Sequence, residues 1–112
     1  MKHITFGNKG LMTGDEMAVV LIEYAAILAN EGEAKSVDFT AYSDRGDKIT
    51  ATVLLGAGAP LMAETSHSDL PEPDNTLTVA VLQGEIGVRT HPPHARQVDN
   101  SDSMSDDETY PA

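Results

Sequence analysis

The sequence predicts an α+β domain: a small two-layer unit with an antiparallel sheet, helices on one face, and an acidic C-terminal tail. Three observations predict it. Thr13–Gly32 reads as a capped, apolar helix. Two alternating runs flank the turn Asp44-Arg45-Gly46-Asp47. From His91 onward the chain has almost no apolar residues. The expected order is β-α-β-β-β-α over residues 1–90, with 91–112 as a disordered tail.

The elements follow in chain order. Ile4-Thr5-Phe6 is a short alternating strand closed by Gly7-Asn8-Lys9-Gly10, and Leu11 and Met12 lead into the first helix. Thr13 stands as an N-cap with Glu16 three residues later, the spacing of a capping box. Asp15 and Glu16 place negative charge at the positive end of the helix dipole. Met12 and Met17 are spaced for a staple across the helix start. Asn30 and Gly32 offer left-handed C-cap positions. Met17, Val20, Leu21, Tyr24 and Leu28 form one buried stripe. Val19, Ile22, Ala26 and Ile27 lie on other faces, and Glu23 is the one charge between Met17 and Ala29. A helix apolar on most sides is covered on most sides, so either a second helix or a second subunit packs there; these four residues are the expected interface if it is a subunit.

Val37, Phe39 and Ala41 alternate with polar neighbours in Ser36–Ser43, and Ile49, Ala51, Val53 and Leu55 alternate in Lys48–Gly56. With a glycine turn between them they predict a hairpin. Leu61–Ser66 is a third antiparallel strand, and the proline-punctuated HSDLPEPDN that follows ends it. Thr76–Thr90 is ambiguous. Gly84, Gly87 and the alternation of Leu77, Val79 and Val81 favour a strand. The acidic PEPDN lead-in, with Asp74 or Asn75 as cap, and the spacing of Val79, Leu82 and Ile86 favour a helix. Helix is the expectation.

Net charge is −11 and cysteine is absent. Residues 1–89 hold six basic and 13 acidic side chains, net −7; residues 90–112 hold one and five, net −4. Such a surface repels phosphate backbones, so no nucleic-acid partner is expected. MKHITFG has no signal-peptide run, and the apolar helix is too short to span a bilayer. A cytoplasmic protein without a membrane partner is expected.

No residue pattern names an activity. Glu64, His67, Asp69, Glu72 and Asp74 share one loop and offer carboxylate and imidazole ligands to a divalent metal. Their spacing matches no metal motif, and solvated loop polars with a helix cap explain them better. His91-Pro-Pro-His94 offers a weak soft-metal pair. Arg45-Gly46-Asp47 spells an integrin-binding tripeptide but fits a turn. Gly56–Gly58 lacks the lysine of a phosphate loop. Glu23 and Tyr24 fit an outward acid beside a buried ring better than buried acid–base chemistry. Ser101, Ser103 and Ser105 among acids suit a kinase, or merely a solubilising tail. No cofactor and no catalytic residue is expected.

The pattern ITFG, then TGDEMAVVLIEYAAILAN, then VDFTAYSDRGDKITATVLLG with PEPDN resembles a group of small actinobacterial proteins over residues 3–88. That group carries no known activity, so the resemblance implies no functional residue. It does imply a helix after PEPDN, and the acidic tail departs from it. The α-β-β-β-α portion is also similar in order to double-stranded RNA-binding domains, but the basic helix start and loop of such domains are missing. The functional expectation is a non-enzymatic module acting as a homodimer or on a protein partner. The alternatives are a small ligand or metal at the Glu64–Asp74 loop, and acidic mimicry of nucleic acid.

Overall fold

The computed structural model describes residues 1–56, 58 and 60–91. It contains β1 (Lys2–Phe6), β2 (Lys9–Thr13), α1 (Asp15–Glu31), β3 (Ala34–Ser43), β4 (Lys48–Gly56), β5 (Leu61–Thr65) and α2 (Thr76–Thr90). The five strands form one antiparallel sheet in the order β4-β3-β2-β1-β5. The α+β class, the antiparallel sheet and both helices stand as the sequence predicts. The tail, His94 and the serines at 101, 103 and 105 lie outside the described residues.

The sequence reading placed four strands; the fifth is β2. Phe6 pairs with Lys9 across the two-residue turn Gly7-Asn8, and Gly7 takes φ 59°. A two-residue turn of this kind needs positive φ, which glycine adopts without a Cβ clash. The segment taken as the lead into the helix is therefore a strand. It seats Leu11 beside Ile4 in the core and Met12 beside His3 on the opposite face. Met12 so cannot staple to buried Met17; its sulfur instead accepts a hydrogen bond from the Ser66 hydroxyl at 3.3 Å.

The β3–β4 hairpin forms as expected. Val37 pairs with Val53, Phe39 with Ala51 and Ala41 with Ile49, all on the face toward α1. Its turn is closed by Gly46 at φ 85° and by the Ser43 hydroxyl, which accepts the N–H groups of Arg45 and Asp47 at 3.3 Å. The Arg-Gly-Asp tripeptide is thus turn chemistry. β5 pairs with β1 rather than with β4, so β4 and β5 are the two sheet edges.

α1 touches both of those edge strands. Met17, Val20, Leu21, Tyr24 and Leu28 are all buried, as their spacing predicts, together with Ala18. They meet Ile4, Leu11, Phe39 and Leu55 from the strands and Val79 and Leu82 from α2. Gly32 closes α1 in the left-handed conformation, φ 67°, and its neighbour Glu33 donates its N–H back to the Leu28 carbonyl at 2.9 Å.

Candidate functional site

The distinctive segment Pro71-Glu72-Pro73-Asp74-Asn75 lies where both helices begin, and four of its residues bond to the body of the fold. Tyr42 donates its hydroxyl to the Pro71 carbonyl at 2.7 Å. The Asp15 N–H donates to Glu72 Oε2 at 3.0 Å. Asp74 Oδ1 accepts the N–H and the hydroxyl of Thr76 at 3.1 and 2.8 Å. Those two bonds, the backbone one first, hold the Asp74 carboxyl below its ordinary value. Two helix N-termini thus each take a carboxylate, as their dipoles favour.

This corrects the expected start of α1. Thr13 is not its cap. The cap position is Gly14, whose own residue makes no side-chain cap bond, and the carboxylate arrives from Glu72, 57 residues downstream of Asp15. Gly14 leaves the room: a Cβ there would sit 2.5 Å from Glu72 Oε2.

Thr13 is fully buried and serves a different network. Its hydroxyl donates to the Thr40 carbonyl at 3.1 Å and accepts from Asn75 Nδ2 at 3.2 Å. Asn75 also donates to the Thr40 carbonyl and accepts the Thr40 N–H, both at 2.8 Å. The Asn75 carboxamide therefore pairs with Thr40 as a strand peptide does, just past the end of the β2–β3 ladder. A partly buried N–H and C=O left bare there are costly, and the side chain satisfies both.

The metal candidates divide accordingly. Glu64 lies exposed on β5 opposite His3, His67 and Asp69 are exposed loop residues, and Glu72 bonds to the start of α1. Among the described residues no three His, Asp or Glu side chains come together as a metal-binding group. The convergence of two helix N-termini also favours anions over cations at Glu72 and Asp74.

At the far ends of the helices Arg89 makes the matching tie. Its guanidinium bonds to Glu31 of α1 and, at 3.0 Å, to Glu33, lies 3.6 Å from Glu85, and stacks 5.7 Å from the centre of the Tyr24 ring. The Glu33 bond, ahead of the Glu31 bond, pushes Arg89 above its ordinary value, and burial raises that of Tyr24. Tyr24 is thus packed under a cation, and Glu23 is exposed. With Asn75 and Val79 beside Gly14 and Met17 at one end and Arg89 beside Glu31 at the other, the two helices run in the same direction.

What this packing leaves uncovered is one side of α2. Leu77, Val81 and Val88 are 79, 58 and 59 % exposed. With Gly84 they follow the i, i+4, i+7, i+11 spacing of a single helical stripe. On α1, Val19 and Ala26 are exposed and Ile22 and Ile27 are half-buried; none belongs to the core. The outward side of α1 was legible from its buried stripe. The stripe of α2 was not, because Leu77 and Val81 fit a strand alternation equally well.

No described helix is long and apolar enough to cross a membrane. No known protein family, no curated protein and no solved structure matches this chain.

Proposed function

We propose that this protein is a non-enzymatic interaction module that pairs with a second copy of itself through α2. The observation that carries this reading is the exposed stripe of Leu77, Val81 and Val88. A helix face of this kind, left in water, has no role in holding its own fold. Charge supports a second copy as the occupant. Two chains of net −11 repel wherever acids face each other, yet Thr76–Thr90 holds one Glu and one Arg and is neutral. Gly84 has no neighbour within 4 Å of a Cβ position, so the backbone there is open to close approach. Two α2 helices crossing at Gly84 about a two-fold axis would bury Leu77, Val81 and Val88 against their own equivalents. Val19, Ile22, Ala26 and Ile27 of α1 extend the same interface in this reading.

The ligand or metal reading of the Glu64–Asp74 loop has less support, since Glu72 and Asp74 are bonded to the two helix starts. The test is the solution mass of the full chain beside the Leu77→Lys, Val81→Glu double variant. Both positions are exposed, so melting temperature is expected to hold while the mass falls from dimer to monomer. A wild-type chain that stays monomeric at high concentration would end the proposal.

A further inference from the structure

We propose that the groove between the β1–β2 turn and β4 binds a single-chain anionic amphiphile, an alkyl carboxylate of the fatty-acid kind. The groove has a volume of about 500 Å³, inside the ~300–1,000 Å³ range of ligand clefts. Its walls are Phe6, Leu11, Ile49, Val53, Leu54 and Pro60. Phe6, Ile49 and Val53 pack against the core yet are only partly buried, so here the core opens to solvent. Leu54 at the rim is 61 % exposed.

Charge selects the occupant. Among the described residues lining the groove, Lys9 is the one charged side chain, and no Asp or Glu lines it. Lys9 is the cross-strand partner of Phe6, which places it on the same sheet face as that ring. It makes no ion pair among the described residues. In a chain with 18 acids, an apolar cleft whose lone charge is a cation matches an alkyl chain with a carboxylate at its end. The alkyl chain would lie against Phe6, Leu11 and Val53, and the carboxylate would meet the Lys9 ammonium.

The experiment is calorimetry of the full chain with dodecanoate and, separately, with dodecyltrimethylammonium, both below their micelle concentrations. Net charge alone favours the cation, so the sign of the preference is diagnostic. The expected result is saturable 1:1 binding of dodecanoate, tighter than that of the cationic chain. Lys9→Glu and Leu54→Asp, both at exposed positions, are each expected to weaken dodecanoate about tenfold or more. Leu77→Lys on α2 is expected to leave it unchanged, which separates this proposal from the dimer. Amide shifts on titration are expected at Phe6, Leu11, Ile49 and Val53. No saturable binding, a preference for the cation, an unchanged affinity in Lys9→Glu, or shifts centred on α2 would each overturn it.

Discussion

Thr13 and Asn75 share one hydrogen-bonded network with Thr40. Thr13 has the sequence signature of an N-cap, with Glu16 at the capping-box distance, yet its hydroxyl is spent on Thr40 and Asn75. A partly buried donor and acceptor on β3 outrank an exposed helix start, because water reaches the latter more freely. The expected outcome is that Asn75→Ala costs about 2–3 kcal/mol in urea denaturation, since it strands the Thr40 N–H. Thr13→Asp separates the two roles. An N-cap tolerates aspartate, but a buried hydroxyl site does not, so Thr13→Asp is expected to melt well below Thr13→Ser. Asp74 gives a pH signature. Its folded value lies below the ordinary 3.8. Its contribution is therefore fully present above that value and is lost as pH falls through the lower, folded one. Acid melts of Asp74→Asn are expected to show a shallower loss of stability below pH 3.8 than the parent.

At the scale of elements, α1 is fastened at both ends by side chains from far along the chain. Glu72 caps α1, and Arg89 of α2 reaches back to Glu31 and Glu33. Glu72→Ala is expected to cost about 1 kcal/mol, the ordinary loss of an N-cap acceptor. Gly14→Ala is expected to be destabilising, because alanine is a poor residue at a helix N-cap and its Cβ displaces the Glu72 carboxylate that accepts the Asp15 N–H. Equilibrium unfolding of the two variants checks both signs. Much of this level was legible in the chain. The stripe from Met17 to Leu28, the Gly32 terminus and the β3–β4 alternation rest on local periodicity. What was not legible was long-range. Nothing near Thr13 says that its cap comes from Glu72. β2 was hidden because Lys9-Gly10 reads as more turn, although Gly7-Asn8 is itself a two-residue hairpin signal. The partner of β5 was likewise beyond local pattern, since Ala63 pairs with Ile4 from the far end of the chain.

For the whole molecule, the proposed dimer joins the two features that composition and packing leave over: a high negative charge and a neutral, apolar side of α2. The surplus of apolar surface was legible in α1, but the fold places the largest exposed share on α2, at Leu77, Val81 and Val88. In the Glu64–Asp74 loop, Glu72 and Asp74 accept hydrogen bonds from the two helix starts, which spacing alone could not reveal. The most direct test of the central claim is amide shift mapping of the full chain over a hundredfold concentration range. The account predicts concentration-dependent shifts along Leu77, Val81, Gly84 and Val88, with smaller ones at Val19 and Ala26. Spectra unchanged over that range, or shifts confined to the open edge of β4, would contradict it.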